Sequence, residues 1–170
     1  MSRLGSFPGW SWDDWMRDET RSGFVPFDLH IHDLDFLVYA FGAPKAHTLY
    51  RAKRPDQDYM SVTYDFGDFF VNTEASWYAS PYPFVAKFMF QFEDAIVAHE
   101  GGSLKIYERG GTIIDSASQN NDGSGTINLP KTDAYANEIR YFTDCVLAGK
   151  ECERVKPEEL KSVLDILTAL

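Results

Sequence analysis

Two cysteines in 170 residues, Cys145 and Cys152, are too few for a disulfide framework. They are separated only by VLAGKE at what reads as a helix end, and the nearest histidine in sequence is His99, so no zinc-ligand spacing surrounds them. Basic residues are scarce as well. Sixteen Lys and Arg against 26 Asp and Glu leave a formal charge of −10. That charge repels phosphate backbones, and no basic stretch interleaved with aromatics offsets it locally, so nucleic acid is not an expected partner. Long apolar runs are missing too: none approaches the roughly 20 residues of a membrane span. The first residues, MSRLGSFPGW, lack the apolar centre of a signal peptide. No membrane is expected, and the cytoplasm is the expected compartment. What the chain does have is apolar bulk: 44 % hydrophobic and 15 % aromatic residues are enough to build one buried core.

The first section, SFPGWSWDDWMRDETRSG, shows no periodicity and reads as an irregular arm. Its tryptophans, Trp10, Trp12 and Trp15, pack the arm onto the domain or offer flat faces for stacking a sugar ring. The chemistry is concentrated just beyond, in FDLHIHDLD, Phe27 to Asp35. As a strand it would place Asp28, His30 and His32 on one face, the start of a divalent metal site. As a helix it would bring Asp28 and His32 together four residues apart and turn His30 the other way, an acid and imidazole pair suited to proton transfer. The spacing of Phe27, Ile31, Leu34, Val38 and Phe41 is that of one helical stripe, and Gly42 and Pro44 end it, which decides for a helix opening near Ser22 or, because Pro26 removes an early backbone bond, a few residues later.

From Ala46 to Ile114 the pattern is one of strands: HTLYRAK, MSVTYDFG, FFVNTEASWYA, FVAKFMFQFE, AIVAHEG, SLKIYERG and GTIIDS. Their close spacing, with hairpin turns at FGD and EGGS, predicts a large, mostly antiparallel sheet; NNDGSGT reads as a longer exposed loop. Two helices close the chain. Asp133 is the expected cap of AYANEIRYFTDCVLAGK, whose stripe is Ala136, Ile139, Phe142 or Thr143, and Val146. VKPEELKSVLDILTAL follows, with Pro157 in the first turn and Leu160, Val163, Leu164 and Leu167 on its apolar face. The expected class is therefore α+β, a large, mostly antiparallel open sheet with helices packed on one face. The ends, in a tryptophan-rich arm and in mid-helix, read as those of a piece of something longer.

A metal-dependent hydrolase is one competing reading, since DLHIH is also what an amidohydrolase shows on its first barrel strand. Such a barrel needs about 250 residues and eight parallel strands. Beyond His30 and His32 only His47 and His99 remain to complete a site.

SGFVPFDLHIHDLDFLVYAFGAP resembles the SGG-x-x-x-D-x-x-x-H-D-x-D...FG-x-P signature of the Gfo/Idh/MocA oxidoreductases. The tryptophan-containing arm before it, EASW at 74 to 77 and the closing YANEIRYFTDCVLAGK...VKPEELKSVLDIL agree with that family's order of parts. The resemblance implies that residues 1–170 are the C-terminal substrate-binding and oligomerisation domain, dihydrodipicolinate-reductase-like in fold, of a two-domain NAD- or NADP-dependent enzyme acting on a sugar, polyol or cyclitol hydroxyl. The family's Rossmann domain, with its Gly-rich turn and Glu-Lys-Pro lysine, has no match here, because GSGTIN follows no strand-turn-helix pattern and Glu-Lys-Pro does not occur. The chain alone is expected to bind no cofactor tightly and to transfer no hydride.

By the same likeness Asp28 and His32 line the substrate pocket beside the nicotinamide. Imidazole takes the hydroxyl proton as hydride leaves the carbon, and Asp28 orients it or holds a second hydroxyl. Nicotinamide would approach near Gly23. Phe24 departs from the family's second glycine, and its bulk either crowds the cofactor or turns away. Asp33 and Asp35 read as helix-surface or domain-contact acids. Trp15, Trp77 and Tyr78 are candidate pocket aromatics, with core packing as their plainer account. The strand FVAKFMFQFE carries more apolar residues than one buried face requires, which predicts a homo-oligomer through the sheet. A stand-alone binding or assembly module without catalysis is the alternative from a different class.

Overall fold

The computed structural model describes residues 1–115 and 134–170. Its β-branched and aromatic runs form the strands β2 (Ala46–Arg54), β3 (Gln57–Asp65), β4 (Phe70–Tyr78), β5 (Val85–Gln91), β6 (Ala95–Glu100), β7 (Ser103–Glu108) and β8 (Ile113–Asp115). Each pairs antiparallel with its neighbour in sequence, except where β1 intervenes between β4 and β5. That strand, β1 (Ser2–Ser6), runs parallel to β4 and antiparallel to β5, giving the order β2-β3-β4-β1-β5-β6-β7-β8. The residues just before the arm, which the sequence pattern left unassigned, are thus a central strand that ends where the arm begins at Ser6. Five residues reading SRLGS carry almost no β-propensity, and pairing on both edges supplies what the side chains do not.

Alternation along β3 sets the inner face of the sheet. Asp58, Met60, Val62 and Tyr64 are buried, and their partners Trp77, Ala75, Thr73 and Val71 on β4 are buried with them. Covering this face is α2 (Ile31–Phe41), whose Leu34 and Leu37 are fully enclosed. Phe36 stacks near Phe88 and Phe90, and Phe41 meets Phe66, Phe69 and Phe90 edge-on, so the aromatic layer joins α2 to β3, β4 and β5. Outside α2 lies α4 (Pro157–Ala169), with Pro157 in its first turn and Val163 and Leu167 buried.

The other long helix, α3 (Ala134–Ala148), keeps its expected stripe exposed: Ile139, Phe142 and Val146 are each about 60 % accessible or more. Its expected cap Asp133 and the loop NNDGSGT lie outside the described residues. Beyond α3 the chain folds back, with Glu153 and Arg154 both donating backbone N–H bonds to the Tyr141 hydroxyl at 2.8 and 3.1 Å. This return brings Cys152 to Cys145; burial and the hydrogen bond to Cys145 push the Cys152 thiol up from its ordinary pKa.

Candidate functional site

The approach to FDLHIHDLD is a chain of local constraints. Asp18 caps α1 (Glu19–Ser22) by accepting the Thr20 N–H at 2.9 Å. Gly23 ends it in the left-handed region at φ 69°, where a Cβ would sit 2.6 Å from the Phe27 ring, so both backbone and space call for glycine. Phe24 follows, also left-handed at φ 59°, although it has a side chain. Its ring turns into the core against Phe7 and Trp77, at centroid distances of 5.9 and 5.8 Å. The bulk at this position is therefore directed inward.

The expected single helix opening near Ser22 is in fact interrupted. α1 stops at Gly23, and Pro26–His30 forms a π-turn that leads directly into α2, with Ile31 N–H bonded to the Pro26 carbonyl five residues back. The wider turn changes which residues face inward. The buried positions run Val25 and Pro26, Leu29 and His30, Asp33 and Leu34, Leu37 and Val38, pairs four apart, rather than the predicted Phe27 and Ile31 stripe. Phe27 is accordingly exposed and Ile31 half-buried. Asp28 and His32 lie on the outward side, also four apart: Asp28 half-buried, His32 exposed.

Burial raises the Asp28 carboxyl above its ordinary pKa, while the charge of His32 and a hydrogen bond from the Trp77 side chain pull it back. Trp77 is thus a core residue, 2 % exposed, whose indole N–H also acts on the candidate acid. His32 lines a groove of about 300 Å³ between α2 and α4 with Ile31, Asp35, Leu160, Val163 and Leu164. Trp15 is half-buried against the core, and Tyr78 is half-buried with its ring edge-on to Tyr82 at 5.2 Å.

Inward from the same turn lies a set of polar groups that periodicity did not reveal. His30 is fully buried, its Nε2 2.6 Å from the Tyr64 hydroxyl and its ring nearly parallel to that of Tyr64. Burial, assisted by the Arg3 charge, lowers the His30 pKa to about 4, and burial holds the Tyr64 hydroxyl well above its ordinary value. The pair is therefore neutral at physiological pH. Asp33, read from sequence as a surface or domain-contact acid, is instead 2 % exposed. Its Oδ1 accepts from both Nη2 and Nε of Arg3 at 2.9 and 3.2 Å, and burial outweighs that cation and raises its pKa. A hydrophobic stripe counts only apolar residues, so His30 and Asp33 were invisible in it; the signal was their place beside Leu29 and Leu34 at spacing four.

His30 and His32 are presented to opposite sides, and among the described residues no three His, Cys, Asp or Glu side chains converge as metal ligands. An apolar slot of about 750 Å³ opens between β4 and β5, lined by Phe41, Phe70, Phe88 and Phe90 with Asn72 and His99. Neither Asp28 nor His32 reaches it, and its volume alone assigns no chemistry.

A mostly antiparallel open sheet covered on one face by helices defines an α+β domain. The family profile of the GFO/IDH/MocA C-terminal domain matches residues 2–105, and the chain belongs to that family. Among solved structures, the UDP-N-acetylglucosamine 3-dehydrogenase of Acidithiobacillus ferrooxidans superposes with a TM-score of 0.70 at 19 % identity, covering 99 % of this chain and 50 % of that one. Biliverdin reductase from Synechocystis sp. PCC 6803, in complex with biliverdin and NADP+, gives 0.69 at 11 % identity over 97 % and 52 %. An oxidoreductase from Agrobacterium radiobacter, in complex with NAD+, L-tartaric acid and magnesium, gives 0.61 at 15 % over 95 % and 50 %. The chain thus spans about half the length of these structures. No curated protein matches it.

Proposed function

We propose that this chain is the substrate-facing and assembly half of an NAD- or NADP-dependent oxidoreductase acting on a hydroxyl of a sugar, polyol or cyclitol, with the dinucleotide held by a Rossmann domain in cis. The observation that carries this reading is the outward pair, Asp28 on the π-turn and His32 in the first turn of α2. Asp28, with its pKa raised by burial, stands where the charge of His32 acts on it, in a domain of the GFO/IDH/MocA family. Cofactor-bound relatives of the same fold support the nicotinamide assignment: two of them are complexes with NADP+ and NAD+.

Such a cofactor supplies the hydride acceptor, and this chain's part is to hold the alcohol and take its proton. His32, exposed at the groove, receives the hydroxyl proton at an imidazole nitrogen. Asp28 faces the charge that then forms and stabilises it, with the Trp77 N–H keeping the carboxylate in place. Gly23 and the backbone around it form the side of approach for nicotinamide, Phe24 being turned inward and out of the way.

The same reading includes a homo-oligomer. Tyr50, Phe70, Met89, Tyr107 and Ile113 lie on the sheet face opposite α2, exposed by 71, 65, 67, 39 and 62 %, a row of apolar side chains from β2 to β8. The two free thiols suit a cytoplasmic location.

The test is ligand binding followed by NMR. A panel of hexoses, polyols, inositols and UDP-sugars, titrated into the protein at millimolar concentration, should move the His32 ring and Trp77 indole signals for one class, and Asp28→Asn should abolish the response. Signals that stay still for every member, or that move only around the β4–β5 slot, overturn the assignment.

A further inference from the structure

The π-turn is a wide, poorly bonded ring that persists only where its surroundings hold it, and the structure shows what holds it. At its entrance the Val25 N–H donates to Asp58 Oδ2 at 3.2 Å, and Asp58 is itself gripped by Arg51 through two bonds of 2.9 and 2.7 Å. At its exit His30 meets Tyr64. Asp58 and Tyr64 stand at the two ends of β3 on its inner face. One strand therefore grips the turn at both ends, and Asp28 lies between the two attachments with His32 just past the second.

We infer that His30 and Tyr64 are positioning residues for the Asp28–His32 pair: their buried hydrogen bond fixes the rotation of the π-turn and so the distance between the outward carboxyl and imidazole. The inference rests on the proposed role of that pair and adds to it the device that sets its geometry. Tyr64 Oη bonds one ring nitrogen of His30, Nε2, and the other, Nδ1, is a buried atom with no partner, so whichever tautomer the neutral ring adopts one polar ring atom stays unsatisfied. A polar atom left unsatisfied in the core is a cost that an apolar residue at position 30 would not carry. Its place beside the outward pair is accounted for by orientation: an aliphatic side chain here would pack without specifying a single angle, whereas a 2.6 Å bond between two nearly parallel rings specifies one. No substrate or cofactor needs to touch either residue.

The experiment reads the carboxyl of Asp28 by carbon-13 NMR as pH is varied. His32→Gln removes the charge that lowers the Asp28 midpoint, so the midpoint should rise, and this arm tests the pair itself. The double variant His30→Phe with Tyr64→Phe replaces both partners by apolar rings of similar volume and so retains the fold. It should raise the Asp28 midpoint by at least half of what His32→Gln produces. Tyr64→Phe alone should do the same with a lower Tm. A double variant whose Asp28 midpoint equals that of the wild type, while His32→Gln moves it, overturns the positioning role and leaves the pair standing. No movement in His32→Gln overturns the pair, and the positioning role with it.

Discussion

Lowering the pH from 7.5 to 5 should cost this protein stability through a single side chain. His30 is fully enclosed, and its pKa in the fold is about 4 against 6.5 for a free imidazole. Above pH 6.5 it is neutral in both states and its contribution is complete. As pH falls below 6.5 the unfolded chain takes up the proton while the folded chain does not, so unfolding is favoured by about 1.4 kcal/mol per pH unit until the folded ring also titrates near 4. At pH 5 the accumulated loss is about 2 kcal/mol. Asp28 and Asp33 act in the opposite sense. Their folded pKa values are raised, so the folded state takes up protons first as pH falls toward the unfolded carboxyl value, which partly masks His30 at the acid end. The comparison that isolates the histidine is urea unfolding of wild type and His30→Phe at pH 7.5, 6.5, 5.5 and 5. The stability difference between the two should move by about 2 kcal/mol in favour of the variant across that series. Parallel curves would show that the imidazole is not held neutral by burial, and the account of the inward side of the turn would fail.

At Phe24 glycine should be better tolerated than alanine: both lose the ring that fills the space beside Phe7 and Trp77, but only glycine escapes the strain at φ 59°, so Phe24→Gly should exceed Phe24→Ala in stability by about 1 kcal/mol, reversing the usual order. Thermal unfolding of the two variants decides it, and alanine at or above glycine would refute the strain. Arg51→Ala should cost about 3 kcal/mol in urea unfolding, because it leaves the fully buried Asp58 carboxyl without its cation, and Arg51→Lys should recover only part of this since an ammonium lacks the planar fork with which Nε and Nη2 meet the two oxygens. A loss of less than about 1 kcal/mol for Arg51→Ala would mean the pair is not structural. Met89→Asp, in the centre of the open sheet face, should convert an oligomer to a monomer in light scattering without lowering the far-UV signal; a wild-type protein that is monomeric at high concentration removes the proposed interface.

The strands from β2 to β8 were legible because each carries a dense β-branched or aromatic run ended by Gly, Asp, Asn or Pro. β1 was not, since SRLGS has no such run and is a strand only because β4 and β5 lie on either side of it. Asp28 and His32 could be placed four apart on a helix from their spacing alone. The π-turn could not be foreseen: it adds a residue to one turn, which moves the core stripe from Phe27 and Ile31 to Val25, Leu29 and their neighbours. Long-range partners stayed hidden for a different reason. Tyr64 looks like any other inward residue of β3, and Arg3 sits in a strand that was not recognised, so neither His30 nor Asp33 had a visible counterpart.

One stretch of chain is thus asked to satisfy two demands that a regular helix would separate. Its inward residues must close the core over β3, and its outward ones, in the function proposed here, bring a carboxyl and an imidazole to one place. A left-handed Phe24 costs about 1–2 kcal/mol and a π-turn forgoes good backbone bonding, so neither would survive in a segment held only by its own propensity. Both persist because Asp58, Tyr64, Trp77 and Arg3 over-determine the segment from the sheet side. On the proposed positioning role the polar residues of the inward face serve the outward one: with buried apolar contacts alone the turn would relax toward an ordinary helix, and the pair at 28 and 32 would rotate with it.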